Sequence, residues 1–380
     1  MPSNTEEPKV VHFHAGGVPG SRPILTGEHA KPTFTEIPAI DTSKIFSKSL
    51  EERKEIAAQV GKACREVGFF YALNHNVPDE VVSQTFKAVA GFFAQPLEVK
   101  METHINNTEH FRGYEALFET KLDTASRRGD LKEAFSMGED GTDPEQHAPS
   151  DTGVVYPKKN QWPSNNLELR SSLYAYYSYA LAFSRQLLHI FALALDMPED
   201  FFDQFCRFPM TAIRALHYPP QEVEHGAEPG LGAHTDYCMF TLVCQDKVPA
   251  LQVLNDNGIW VDALPRPKSF VVNIGDFLMQ VTGGTFQSTV HRVVNLTGER
   301  RYSMPFFFSP DEDAHISVLP QFRNEGETYD EISVGEYFRR RLFAARHKHP
   351  AVLKWKEELK RTKEEAAAIT QAAQVVEQAA

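Results

Sequence analysis

The sequence predicts a mixed α/β protein with a mainly β core of the jelly-roll kind, an N-terminal α/β lead-in and flanking helices. Three observations carry this. Between Thr211 and Phe308 the apolar period is two, in seven short runs separated by turn residues. Ahead of it, a helix-period run from Leu50 to Val67 passes through Gly68 into the aromatic strand Phe69-Phe70-Tyr71-Ala72-Leu73. Between the two parts, Leu167–Leu195 keeps helical spacing long enough for one core helix, bounded by Asp196 and Pro198.

Residues 1–34 are rich in Pro, Gly and polar residues, which predicts a flexible N-terminal arm with solvated histidines at His12 and His14. Ile37–Asp41 reads as a short strand. Ser49 is a possible cap for the helix that follows, and Asn74–Pro78 turns into a second amphipathic helix ending near Phe93. With these elements, 35–150 forms the N-terminal region, and 151–204 a loop plus the long helix; loops are expected over Gly138–Asn166. Residues 205–312 hold the strands Thr211–Tyr218, Met239–Gln245, Ala250–Leu254, Ile259–Ala263, Ser269–Ile274, Ser288–Asn295 and Tyr302–Phe308. Asn257-Gly258 predicts a tight hairpin with positive φ at both residues. From about Ser333 to Ala380 the pattern is helical; its basic stretch Arg339–His349 is expected to be a solvated face, and the Ala/Glu-rich tail a marginal helix.

Composition narrows the function class. The 380 residues carry 39 Lys+Arg against 51 Asp+Glu, a net charge of −12, which gives no support to a nucleic-acid surface. No apolar run reaches the ~18 residues of a membrane span, and the N-terminus lacks a secretory pattern. The expectation is a soluble cytoplasmic protein acting on a small molecule, without nucleic-acid or membrane partners. Cys64, Cys206, Cys238 and Cys244 lack metal or disulfide spacing and read as free thiols.

The chemistry lies in the β-rich part. In Ala233-His234-Thr235-Asp236 an imidazole and a carboxylate sit two apart, hence on one face if the segment is extended. His291 lies at the centre of a later strand-like run. Two histidines and one carboxylate on a β-scaffold make the facial triad that binds Fe(II) and leaves positions open. Arg301 and Ser303, again i and i+2, pair a guanidinium fork with a hydroxyl, a grip suited to a carboxylate. Each residue alone is ambiguous, but together they describe a metal site with an anion anchor.

Here the chain resembles the iron(II)/2-oxoglutarate-dependent oxygenases of the isopenicillin N synthase-like family. The likeness spans about Ile37 to Pro310 and rests on Gly68–His75, Arg112-Gly113-Tyr114, His217-Tyr218-Pro219-Pro220, Gly232–Tyr237, Leu251-Gln252-Val253, Asn273–Asp276, Ser288–Val293 and Arg301-Tyr302-Ser303. It implies a double-stranded β-helix, iron ligands His234, Asp236 and His291, and a 2-oxoglutarate anchor of Arg301, Ser303 and Tyr218. It also implies O2 as co-substrate, ascorbate as a supporting reductant, and release of succinate and CO2. One departure stands out: many plant members carry Asn-Tyr-Tyr-Pro where this chain has Leu216-His217-Tyr218-Pro219. His217 then reads either as a pocket histidine or as an ordinary strand histidine.

Positioning a C–H bond and excluding water call for an apolar wall. Leu117, Phe118, Phe135, Phe240, Phe306 and Phe308 are the residues put forward for it. Hydroxylation, desaturation and ring formation all remain open, with secondary metabolism the favoured setting. So do a related oxidase that uses no 2-oxoglutarate, a thymine-type nucleobase hydroxylase and a non-catalytic jelly-roll metal-binding protein.

Overall fold

A computed structural model describes residues 9–120, 129–139, 159–221 and 228–379, and of 365–379 only the backbone. Most of the loop expected over Gly138–Asn166 lies outside these residues. The N-terminal part contains β1 (Val10–Ala15), β2 (Val18–Pro23), β3 (Ala39–Asp41), α1 (Leu50–Glu66), β4 (Phe69–Leu73), α2 (Asp79–Phe93), α3 (Leu97–Met101), β5 (Gly113–Glu115) and β6 (Glu133–Gly138). The long helix α4 (Leu167–Ala194) follows. The catalytic part has β7 (Met210–Tyr218), β8 (Leu231–His234), β9 (Phe240–Gln245), β10 (Leu251–Leu254), β11 (Trp260–Asp262), β12 (Ser269–Ile274), α5 (Asp276–Val281), β13 (His291–Val293) and β14 (Arg301–Ser309). The small pair β15 (His315–Ile316) and β16 (Ile332–Ser333) leads to α6 (Val334–Ala345) and α7 (Pro350–Ala379).

The strands make two main sheets. The larger runs β3-β4-β12-β9-β14-β7-β6-β5, and the smaller β11-β10-β13-β8-β1-β2. The N-terminal region therefore extends both edges of the larger sheet, with β4 antiparallel to β12 and β6 antiparallel to β7. Strand alternation divides this sheet cleanly. Phe70, Ala72, Phe135, Ile213, Ala215, Phe240, Leu242, Phe270, Phe306 and Phe308 join α1, α2 and α4 in one buried core. Phe69, Tyr71, Ala134, Leu216, Tyr218 and Val271 belong to a second core shared with Leu251, Val253 and Val293 of the smaller sheet.

Local chemistry explains the junctions. The Ser49 side chain accepts from the Glu52 N–H and starts α1; Asn166 does the same for α4 through Leu169. Gly68 stops α1 at φ +72, where a Cβ would lie 2.2 Å from the Gln287 carbonyl oxygen. No helix among the described residues is long and apolar enough to cross a membrane.

Three expectations change. The N-terminal arm is not loose beyond residue 9: β1 and β2 form an antiparallel hairpin, and β1 runs parallel to β8 with His14 opposite His234. Its turn is Gly16-Gly17, both at positive φ, and the Thr235 N–H donates to the His14 carbonyl at 3.0 Å. The Asn257-Gly258 hairpin has a longer loop, since Leu254 pairs with Trp260 and only Gly258 has positive φ. The Asn257 side chain instead exchanges two hydrogen bonds with the Lys31 backbone, each 2.8 Å. Finally, the C-terminal helix is broken between α6 and α7, and its basic stretch is not all solvated. Arg341 and Arg346 reach inward to Asp276 and Glu115, and His349 is buried against the Ile105 carbonyl.

Candidate metal centre and active site

The site assembles where β8 ends and β13 begins. His234 and His291 are register partners on these antiparallel strands, and their ring centroids lie 4.3 Å apart. Each Nδ1 faces a carbonyl two residues upstream, Gly232 at 2.8 Å and Thr289 at 3.2 Å, leaving both Nε2 atoms turned inward. Asp236 sits just past β8, in the turn fastened by the Asp276 N–H to its carbonyl at 2.7 Å. Its Oδ2 accepts from Thr241 Oγ1 at 2.6 Å and Asn273 Nδ2 at 2.8 Å. Oδ1 is left facing the imidazoles, 3.5 Å from His234 Nε2 and 3.8 Å from His291 Nε2.

Such an arrangement fits a divalent metal. The three donor atoms lie within 4.8 Å of one another, the one such group found among the described residues. Metal–ligand bonds of about 2.1 Å would draw them slightly closer. The electrostatics agree. Burial opposes charge on Asp236, but His291 and His234 hold its carboxyl well below the usual range. Burial and then the neighbouring His234 push His291 down to about 4, so its imidazole is neutral at neutral pH, the form able to bind a metal.

Behind this group lies the guanidinium of Arg301, only 1% exposed. It donates to Val248 O at 3.2 Å, Ser303 Oγ at 3.3 Å and Gln245 Oε1 at 3.1 Å, all uncharged partners. Its Cζ stands 5.0 Å from the ring centre of Tyr218, its register partner on β7. Burial raises the Tyr218 phenol, which stays protonated as a donor. A buried cation whose hydrogen-bond partners are all neutral, with the Asp246 carboxylate acting on it only through space, suits a bound anion.

A cavity of about 1800 Å³ contains the triad together with Arg301, Ser303 and Tyr218. Its apolar lining includes Leu216, Val243, Leu251 and Phe307. The aromatic wall put forward from sequence is elsewhere. Phe135, Phe240, Phe306 and Phe308 are buried in the core that faces α4, with Phe240 and Phe308 stacked at 4.9 Å. Parity is the reason: Arg301, Ser303 and Phe307 share one face of β14, so Phe306 and Phe308 take the other. Leu117 is 40% exposed, and neither it nor Phe118 lines the cavity. His217 also faces away. It hydrogen-bonds Glu133 at 2.7 Å and stacks on Tyr302 at 4.9 Å, as an ordinary structural histidine. The four cysteines are buried free thiols.

Thr241, Asn273 and Gln245 were missed in the sequence. Asn273 had a signal, since it shares the Val271 face of β12, one strand away from Thr241 across the β12–β9 register.

Family comparisons bear on the same residues. A model of the 2OG-Fe(II) oxygenase superfamily matches residues 209–310. A model of the N-terminal part of non-haem dioxygenases in morphine synthesis matches 37–165. A 2-oxoglutarate-Fe(II) type oxidoreductase of Metarhizium rileyi is 32% identical over 90% of this chain and 95% of its own length. The chain belongs to the 2-oxoglutarate/Fe(II) oxygenases. A second such oxidoreductase, from Emericella nidulans, is 35% identical over 80% of this chain and 89% of its own length. Among solved structures, a full-length Neurospora crassa protein in complex with alpha-KG and thymine superposes with a TM-score of 0.69. It is 27% identical, covering 81% of this chain and 96% of that one. The oxygenase thus has the family's jelly-roll fold and depends on Fe(II), 2-oxoglutarate and O2. The β1–β2 hairpin lies ahead of both matched segments.

Proposed function

We propose that His234, Asp236 and His291 hold the Fe(II) of this dioxygenase, and that Arg301, Ser303 and Tyr218 grip the far carboxylate of 2-oxoglutarate. The reaction is oxidation of a C–H bond in a small organic molecule: one atom of O2 enters succinate, the other enters the product in hydroxylation or leaves as water in desaturation and ring formation, and CO2 leaves. Bound Fe(II) supplies the activation of O2 that couples these two oxidations. The protein's own part is positioning. Arg301 fixes the co-substrate by charge-assisted bonds in a site with no competing carboxylate among its hydrogen-bond partners. Leu216, Val243, Leu251 and Phe307 keep the facing wall apolar and water-poor.

The observation that carries this reading is the convergence of two Nε2 atoms and one Asp236 oxygen, with every other polar atom of the three groups already engaged. Hydroxylation, desaturation and ring formation all fit this reading, and the setting we favour is secondary metabolism in the cytoplasm. The likeness to fungal oxidoreductases supports the setting, and the net charge of −12 supports a small-molecule rather than a nucleic-acid partner. A nucleobase substrate is the second reading, supported by likeness to the thymine complex.

Iron content of purified variants tests the assignment. His291→Ala and Asp236→Ala lose bound iron and turnover, whereas His217→Ala keeps its iron. Arg301→Leu keeps iron but raises the 2-oxoglutarate requirement at least about tenfold more than that for substrate. Full iron occupancy in His291→Ala would falsify the triad.

A further inference from the structure

The cavity has a second cationic wall that metal and co-substrate leave unused. Lys132, just before β6, Arg214 on β7 and Arg346, which caps the end of α6, all line it. Lys132 is 2% exposed; its Nζ bonds the Thr120 hydroxyl and lies 3.9 Å from Asp130. Arg214 Nη2 lies 2.7 Å from Glu115 Oε2, and Arg346 Nη2 lies 3.5 Å from the same oxygen. Among the described residues, the ion pairs of these three buried cations involve two carboxylates, Glu115 and Asp130, so within this cluster one positive charge is in excess. Buried hydrogen-bond donors also go unused: among the described residues, neither Arg214 Nε nor Arg346 Nε has a hydrogen-bond partner. The excess field is felt locally. Burial, reinforced by Arg214, lowers Lys132 to about 8.

The wall is placed for substrate rather than co-substrate. Arg214, Leu216 and Tyr218 share one face of β7, so Arg214 stands four residues, about 13 Å of strand, from the residue paired with Arg301. One strand face therefore carries an anion anchor at each end, with apolar surface between. We propose that the molecule oxidised here is an organic acid, whose carboxylate is held by Arg346, Arg214 and Lys132 while a carbon remote from it faces the metal. The inference rests on the oxygenase reading and names its substrate class. A single excess positive charge matches one carboxylate, and the fork geometry of guanidinium suits it.

The test is anaerobic calorimetry on the full chain loaded with Fe(II) and 2-oxoglutarate, titrated with phenylacetate, phenylacetamide and thymine. Phenylacetate is expected to bind about tenfold or more tightly than the two neutral compounds. Arg346→Gln should remove that preference, Arg346→Lys should restore part of it, and 2-oxoglutarate affinity should stay unchanged in both. Lys132→Met provides a second variant, with the same expected loss, that leaves the Glu115 pair intact. Equal binding of acid and amide, no binding of the acid to enzyme that does bind 2-oxoglutarate, or equal weakening of all three by Arg346→Gln overturns the proposal. Failure of 2-oxoglutarate itself to bind would count against the co-substrate anchor instead, and the acid-to-amide ratio on the Fe(II) enzyme would still decide the carboxylate site.

Discussion

Asp236, a proposed ligand, illustrates how much of a metal site lies outside its ligands. Thr241 and Asn273 occupy one carboxylate oxygen and so dictate which oxygen faces the imidazoles. Removing both donors, as Thr241→Val with Asn273→Leu, frees the carboxylate to rotate and should weaken Fe(II) affinity about 10- to 100-fold. Titration of the metal-free protein with Fe(II) measures this; unchanged affinity would mean that backbone geometry alone sets the ligand. Arg301-Ser303 was readable in the sequence because an i, i+2 spacing keeps partners on one strand face, whereas His234-Asp236 needed His291 from a distant strand and the family resemblance to be read as a triad. Thr241, Asn273 and the Lys132–Arg214–Arg346 wall were not readable, because their contacts join elements far apart in the chain. Arg346 was read as part of a solvated basic face, and only the break before α7 turns it inward.

At the scale of the strand, parity decides what an aromatic residue does. Phe306 and Phe307 are neighbours in β14, yet one packs under α4 and the other lines the cavity. Phe306→Leu should cost about 1 kcal/mol of stability with substrate KM unchanged. Phe307→Leu should shift substrate KM with little loss of stability. Melting curves and steady-state kinetics on the two variants check this, and a reversed pattern would refute the assignment of faces. The same alternation, applied to Arg301 and Ser303, favours Phe307 over the Phe306 and Phe308 named from the sequence. Turn chemistry carried a comparable unused signal: Gly16-Gly17 between two alternating runs is a two-residue hairpin turn with φ of 61° and 84°. Asn257-Gly258 looked like the stronger turn, but Asn257 is recruited by the Lys31 backbone and the loop lengthens.

Over the whole molecule, the larger sheet divides labour between its faces. One packs the helices and provides stability; the other, with the smaller sheet, surrounds the cavity. The broad architecture was readable because periods of two and 3.6 mark strands and helices in any context. The pairing of β1 with β8 was not, because it joins residues about 220 positions apart. Stability should also respond to pH through the helix-side core. Burial pushes His75, stacked on Phe270 at 4.1 Å, from 6.5 down to about 4. The unfolded chain gains this proton near pH 6.5 and the folded chain only near pH 4. The contribution is therefore complete above pH 6.5 and falls by up to about 3 kcal/mol as pH drops to 4. Urea unfolding of wild type and His75→Asn across that range should show a shallower pH slope in the variant; parallel slopes would exclude His75 as the cause.

The central claim is that one buried triad and one buried arginine couple 2-oxoglutarate decarboxylation to oxidation of a second molecule. Its most direct test is the ratio of succinate formed to O2 consumed with Fe(II), 2-oxoglutarate and a panel of small organic acids. One succinate per O2 is expected, stimulated by the true substrate and absent in Asp236→Ala. Substrate-dependent O2 consumption without succinate would contradict it and assign Arg301 to the substrate itself.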